Sequence, residues 1–255
     1  MPDTAPGLRH VEHVMGTVFS FDVRDEPTAA VRGALAEAVH HLHQVDAVFS
    51  TYRPDSCVSR LGRGEIRPED CPPEVQEVLS LCAQATRASD GWFSITPEGT
   101  LDPSGLVKGW ATEAASRLLR EAGARNTCVN GGGDIQLRGR AAPGTPWRVG
   151  IAHPLRPGEL VTVVTAHHDM AVATSGTSER GAHIIDPHSG APATALAAVT
   201  LVGPGLTLTD TYATAAFARG AGAPAWVEAL DGYEALVVLP DGQERRTSGF
   251  RRYGS

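Results

Sequence analysis

The chain has 255 residues, 42% of them hydrophobic and 20% charged, an ordinary globular balance with enough length to bury a core without covalent staples. Its formal charge of −7 argues against a nucleic-acid binder, which normally carries a basic face. Cys57, Cys71, Cys82 and Cys128 form no CxxC pair, so a zinc ribbon or dithiol redox motif is not expected, and burial as small hydrophobes is the simplest reading. No window approaches the roughly 18 apolar residues of a membrane span. The opening residues MPDTAPG show no basic start followed by an apolar run, so a cytoplasmic protein without a signal peptide is expected.

Val14 to Val23 (VMGTVFSFDV) alternates loosely and is rich in β-formers, which predicts an early strand. Thr28 then opens a helical pattern in which Val31, Leu35, Ala38, Leu42, Val45 and Phe49 make one apolar stripe. His40, His41 and His43 fall in that helix. Adjacent positions 40 and 41 cannot share a face, so solvated histidines are expected there rather than a metal site. A second helix should begin at Pro72-Pro73 and a third should run from about Lys108 to Ala122, stopped by Gly123.

The second half reads mainly as strands: Thr127–Val129, Trp147–Ala152, Leu160–Ala166, Met170–Thr174, Ala197–Val202 and Ala235–Leu239. Helices interrupt it near Asp210–Ala218 and Pro224–Leu230. Clustered strands with segregated helices favour an α+β fold over a doubly wound sheet. No repeat, coiled coil or domain boundary is readable, so residues 1–255 are taken as a single domain.

Several common solutions are missing. There is no GxxxxGK[ST], no GxGxxG after a strand, no GxSxG and no HExxH. Six polar, glycine-rich islands remain. Met15-Gly16-Thr17 opens the first strand, where a glycine bulge would explain it. The segment from Phe49 to Ser56, followed by Ser59-Arg60-Leu61, reads as a helix-stop loop whose Tyr52 could stack on a planar ring. In Asp102-Pro103-Ser104-Gly105-Leu106-Val107-Lys108-Gly109, glycine permits close backbone approach and the following helix offers amides and a lysine to a phosphate. A turn with a solvent-facing Lys108 explains it equally well.

Asn130-Gly131-Gly132-Gly133-Asp134 indicates tight backbone approach or a turn with positive φ. Ala173-Thr174-Ser175-Gly176 is followed by His183-Ile184-Ile185-Asp186-Pro187, in which His183 is either a proton mover near pH 7 or a structural ring. In Asp210-Thr211-Tyr212-Ala213-Thr214, a helix would put Asp210 and Thr214 one turn apart on one face. That carboxylate and hydroxyl suit a hard cation, Mg²⁺ above Zn²⁺; alternatively Asp210 is an N-cap and Thr214 a solvated side chain.

Singly these islands are weak signals, but their order is specific. MGT, FSTYRPDSCVSRL, DPSGLVKGWA, NGGGDI, TSGTSERGAHIIDPHSG and DTYATA, spanning about residues 15–220, resemble the ApbE family of FAD:protein FMN transferases. The resemblance implies an α+β fold and Mg²⁺-dependent cleavage of the FAD pyrophosphate. AMP would be released and FMN esterified to a threonine or serine of an acceptor flavoprotein carrying a Ser/Thr-Gly-Ala-Thr-type segment. It implies Asp210, Thr214 and the Gly105 carbonyl as metal ligands, and Met15, Tyr52, Trp92, Phe93, Ser94, Asp102, Lys108 and Ile185 as FAD contacts. His183 would be the base and Asp210 would also serve catalysis. Ser94 stands where that family usually has aspartate, and only seven residues separate it from Asp102, where many relatives have a longer stretch. Ser178 replaces a frequent tyrosine, and the usual lipoprotein signal is not visible. Two other readings share the motifs: an Mg²⁺-dependent FAD pyrophosphatase giving free FMN and AMP, and a non-catalytic flavin carrier.

Overall fold

The stretch Val14–Val23 that reads as one opening strand is a strand only from Thr17, and another strand, Leu8–Val14, which the sequence reading lacks, precedes it. In the computed structural model, which describes residues 7–97, 99–178, 181 and 183–254, β1 (Leu8–Val14) and β2 (Thr17–Val23) pair antiparallel from Leu8↔Val23 to Val14↔Thr17. Met15 and Gly16 are the turn between them, with φ of 54° and 67°, the doubly left-handed geometry whose twist matches a hairpin. The glycine at this island therefore closes a hairpin and is not a bulge within one strand. Met1–Pro6, on which the signal-peptide expectation falls, and Glu179, Arg180 and Ala182 of the long motif lie outside the described residues.

Helix α1 (Ala29–Phe49) starts where expected, because the Thr28 hydroxyl accepts the Val31 N–H at 3.3 Å. The stripe Val31, Leu35, Ala38, Leu42, Val45 and Phe49 is buried throughout. Its histidines divide: His40 and His43 are exposed, but His41 is half-buried with its ring 5.6 Å from that of Trp110. Burial holds the His41 pKa below the usual imidazole range, which corrects the expectation that all of them are solvated. A short helix, α2 (Cys57–Gly62), follows the Tyr52 loop, and α3 (Pro73–Ala88) begins at the expected prolines.

Helix α4 (Ser104–Glu121) starts earlier than its periodicity indicated, so Gly105 lies inside the helix and not in a loop before it. Asp102 sets that start by accepting the Ser104 N–H at 2.9 Å. Beyond it come β3 (Thr127–Gly131), β4 (Asp134–Arg138), β5 (Trp147–Ala152), β6 (Leu160–Ala166), β7 (Met170–Gly176), β8 (Ala198–Gly203), α5 (Leu206–Arg219), α6 (Ala223–Glu228), β9 (Glu234–Val238) and β10 (Glu244–Arg246).

Eight strands form one sheet in the order β1-β2-β3-β4-β7-β8-β9-β10. Every neighbouring pair in it is antiparallel, which fits the expected α+β class. The strands β5 and β6 form a separate hairpin inserted between β4 and β7. Alternate residues of the long sheet serve two different cores. Ala171 and Ala173 of β7, Leu201 of β8 and Val237 of β9 face the helices with Leu42, Leu106, Trp110 and Phe217. Met170 and Val172, Val202 and Leu236 instead meet Trp147, Ile151 and Val164 of the inserted hairpin. Each large apolar side chain withdrawn in this way stabilises the fold by about 1.5–3 kcal/mol relative to exposure. The hairpin and the helices are thus anchored by separate cores, and a cavity lies where their edges meet.

Candidate functional site

The cavity, of about 700 Å³, is bounded by the start of α4, the middle of α5, the β3–β4 turn, β7, the segment 183–187 and the inserted hairpin. Tyr52, Trp92, Phe93, Ser94, Asp102, Gly105, Lys108, His183, Ile185, Asp210 and Thr214 all line it. Met15 does not. It sits in the β1–β2 turn, half-buried against the main core, although its neighbour Thr17 lies directly against Gly132 of the lining.

The floor is built by two helices in close contact. A Cβ on Gly109 would come within 2.7 Å of the Leu206 carbonyl oxygen and 3.0 Å of the Asp210 Cβ, so only glycine lets α4 and α5 approach this far. One turn earlier, the position of a Cβ on Gly105 lies 3.9 Å from the Thr214 hydroxyl oxygen. Helix α5 begins at Leu206 with Gly205 as its cap, which places Asp210 inside the helix and removes the N-cap alternative. Thr214 is half-buried one turn on, so it is not a freely solvated residue either.

Lys108 ties this floor together. Its ammonium bonds the Asp210 carboxylate at 2.8 Å and also bonds Asp134, with side-chain exposures of only 18%, 7% and 6% for the three residues. The alternative of a solvent-facing lysine is therefore not found. The NGGG turn delivers Asp134: Gly132 and Gly133 have φ of 61° and 95°, and Asn130 accepts the Gly133 N–H at 2.8 Å. The other Asp134 oxygen accepts the Thr174 N–H of β7 at 2.8 Å. Burial works against the Lys108 charge, but the two carboxylates outweigh it and hold its pKa above the ordinary range. Burial dominates at Asp210 and pushes its carboxyl up to about 6, against the pull of Lys108.

The donor set here fits a hard divalent cation. Asp210 supplies a carboxylate and Thr214 a hydroxyl, both oxygen ligands. Among the described residues no cluster of three or more His, Cys, Asp and Glu side chains is arranged to hold a metal. Any cation site here must draw on the hydroxyl and the Gly105 carbonyl as well.

The rim differs. Tyr52 is 96% exposed on the loop after α1. Trp92 is held between His188, at 4.4 Å between ring centroids and edge-on, and the Arg219 guanidinium at 5.9 Å. Phe93 is only 2% exposed and packs under Gly105, so it forms wall and not a free stacking face. Ser94 accepts the Thr96 N–H at 3.1 Å. Ile185 bridges to Pro192 beside a tight turn in which Asp186 accepts from the Ser189 hydroxyl at 2.7 Å. His183 is exposed, and its Nδ1 lies 3.0 Å from the Gly181 carbonyl oxygen. A carbonyl can only accept, so Nδ1 carries the proton and Nε2 is left as the basic nitrogen.

Two parts of the site were not foreseen. Asp134 had been read only as the residue closing a glycine turn, and its acidic side chain was the sole signal available. The wall from Val149 to Ala152 had no signal, because nothing in a β-strand sequence says that its hairpin will fold over a distant helix.

Comparison with known proteins places this geometry in context. The model of the ApbE family matches residues 15–100 and 96–237. A Vibrio cholerae protein named FAD:protein FMN transferase is 28% identical over 210 residues, covering 75% of this chain and 60% of the relative. A Rhodobacter capsulatus protein of the same name is 24% identical, covering 93% of this chain and 56% of the relative. The chain thus spans less than two thirds of the length of these curated relatives. Among solved structures, the flavin transferase ApbE of Vibrio cholerae superposes with a TM-score of 0.84 at 23% identity, covering 98% of this chain and 99% of that one. The ApbE protein of Thermotoga maritima gives 0.85 at 20% identity, covering 98% and 100%. These structures share the fold. Among the described residues, no helix is long and apolar enough to cross a membrane.

Proposed function

The chain belongs to the ApbE family, and from that premise we propose that it transfers the FMN half of FAD to a serine or threonine hydroxyl of an acceptor flavoprotein, releasing AMP. The observation that carries this reading is the buried Lys108–Asp134–Asp210 cluster beside Thr214 and Gly105, on the floor of a cavity with aromatic residues at its rim. A carrier would need an aromatic pocket but no such charged floor.

Asp210, Thr214 and the Gly105 carbonyl would hold Mg²⁺, which when bound supplies Lewis-acid and templating chemistry to a pyrophosphate. Lys108 uses two of its three N–H donors on carboxylates, leaving one for a phosphate oxygen of FAD. Tyr52 and Trp92 offer faces to the isoalloxazine or adenine rings. The acceptor hydroxyl oxygen forms a bond to the FMN phosphorus while the bond from that phosphorus to the bridging oxygen breaks. AMP leaves with the bridging oxygen, and the hydroxyl proton passes to Nε2 of His183. The acceptor segment is of the Ser/Thr-Gly-Ala-Thr type that relatives of this motif pattern imply.

The test is to incubate the protein with FAD, Mg²⁺ and an acceptor bearing such a segment. Flavin fluorescence on the denatured acceptor, together with AMP, is the expected result. AMP with no labelled acceptor makes the protein an FAD pyrophosphatase, and bound flavin with neither product makes it a carrier.

A further inference from the structure

We infer that Asp134 is a positioning residue that keeps Asp210 available to a divalent cation by taking up the charge of Lys108; this rests on the reading of Asp210, Thr214 and Gly105 as a cation site. The argument is one of charge in a dry place. Lys108 contributes one positive charge, Asp134 and Asp210 one negative charge each, so the cluster carries a net single negative charge. A pair of Lys108 and Asp210 alone would be neutral. A divalent ion reaching Asp210 would then meet an ammonium on the same carboxylate, 2.8 Å away, and like charges repel strongly where water is scarce.

The geometry equips Asp134 to relieve that conflict. One of its oxygens is fixed by the Thr174 N–H, which roots the carboxylate in β7, and the other already bonds Lys108. Among the described residues Lys108 is the only cationic side chain that Asp134 pairs with, so its buried charge has no other counterpart. Because Lys108 bonds both carboxylates, a slight turn of its ammonium commits it to Asp134 and frees Asp210. Asp134 need not touch the ion to set its affinity.

The test titrates Mn²⁺ alone, without flavin, into the full chain and reads free Mn²⁺ by electron paramagnetic resonance. Asp134→Asn can keep the Thr174 bond while removing the charge, and it should weaken Mn²⁺ binding by roughly 10–100-fold, the usual cost of losing a partner behind a metal ligand. Adding Lys108→Met to that variant returns the cluster to one net negative charge and should restore much of the affinity. A merely structural Asp134 would leave the double variant as weak as the single one or weaker, and that result overturns the inference. Should Asp134→Asn fail to fold, Lys108→Met alone remains decisive: it must bind Mn²⁺ more tightly than the unaltered protein, and equal or weaker binding overturns the inference. Loss of Mn²⁺ binding in Asp210→Ala with no change in Asp134→Asn would leave the cation site standing and overturn only the role of Asp134. An unaltered protein that binds no Mn²⁺ overturns the cation site and this inference with it.

Discussion

Lys108, Asp134 and Asp210 have side-chain exposures of 18%, 6% and 7%, whereas Tyr52, on the same cavity, is 96% exposed. On the floor each charge is held by another charge, and the helices that carry the groups are pressed together at Gly109. On the rim, Tyr52 is bare and the His183 ring bonds only a carbonyl of its own loop among the described residues. Removing a floor group disturbs buried charge and helix packing together. Removing either of these two exposed side chains alters only what a bound molecule feels. Floor variants should therefore change chemistry, metal affinity or stability in combination, and variants of Tyr52 and His183 should leave stability untouched.

The largest effect is expected from Asp210→Ala. Lys108 keeps Asp134 as its partner, so the chain should still fold, while metal-dependent AMP release from FAD falls by roughly 10²–10³ or more, the scale of losing one preorganised electrostatic group. Unchanged turnover would remove Asp210 from the metal site. The unaltered protein should show the same group through pH. Only the ionised carboxylate binds a cation, so Mn²⁺ affinity should rise as pH climbs through about 6 and drop by about tenfold per unit below it. The sign for the metal-free fold is opposite. Its Asp210 pKa lies above the unfolded value of 3.8, so the group's destabilisation grows as pH rises from that value to about 6, is complete above 6, and is lost as pH falls back to the ordinary carboxylate range.

His183→Ala comes next, and it tests the rim. Acceptor labelling should slow by about 10²-fold, the lower end for loss of a general base, with FAD affinity and melting temperature unchanged. A selective loss of FAD binding would make His183 a binding residue and would leave the acceptor hydroxyl without its proposed base.

How much of this division was legible beforehand depends on where each element finds its partners. Helix α1 was readable because its cap, Thr28, and its stripe are local. The strands β5 and β6 matched their expected bounds because their side chains alternate plainly. Helix α5 was seen only from Asp210 onward. Its first turn, LTLT, is rich in β-branched residues, and its opening amides are satisfied from far away: Leu206 by the Gln136 side chain at 2.9 Å and Thr207 by Glu113 at 2.8 Å. The strand β4 was missed for a related reason. Its inward residues Asp134 and Gln136 are polar yet buried, and the bonds that make this affordable come from Lys108, Thr174, Met170 and Leu206. The carboxylate of Asp210 and the hydroxyl of Thr214 could be placed on one helix face from sequence; the charge pairing that organises the floor could not, because it spans 76 positions from Asp134 to Asp210.

Gly109→Ala would break the floor without touching a charge. The new methyl would meet the Leu206 carbonyl and the Asp210 Cβ, both backbone or near-backbone atoms that cannot rotate away. Overpacking of this kind costs about 1–3 kcal/mol, which in a chain of this size lowers the melting temperature by roughly 2–4 °C per kcal/mol. Mn²⁺ affinity should fall with it, since α5 carries Asp210 and Thr214, the two side chains proposed to hold the cation. A variant that melts lower but binds Mn²⁺ normally would show that the close helix contact supports the fold alone.

The smallest effect belongs to Tyr52→Ala. An aromatic contact with a planar ring is worth about 0.5–1.5 kcal/mol, so FAD affinity should weaken by roughly two- to tenfold. The melting temperature should not move, because the ring contributes no burial to the fold. Trp92→Ala makes the useful contrast. Trp92 lines the same cavity but is packed against His188 and covered by Arg219, which itself pairs with Asp90 at 3.3 Å. Its removal should lower both FAD affinity and melting temperature. If calorimetry of the two variants gave the same pair of changes, the line between floor and rim would have to be redrawn between Tyr52 and the α3–α5 packing that holds Trp92 in place.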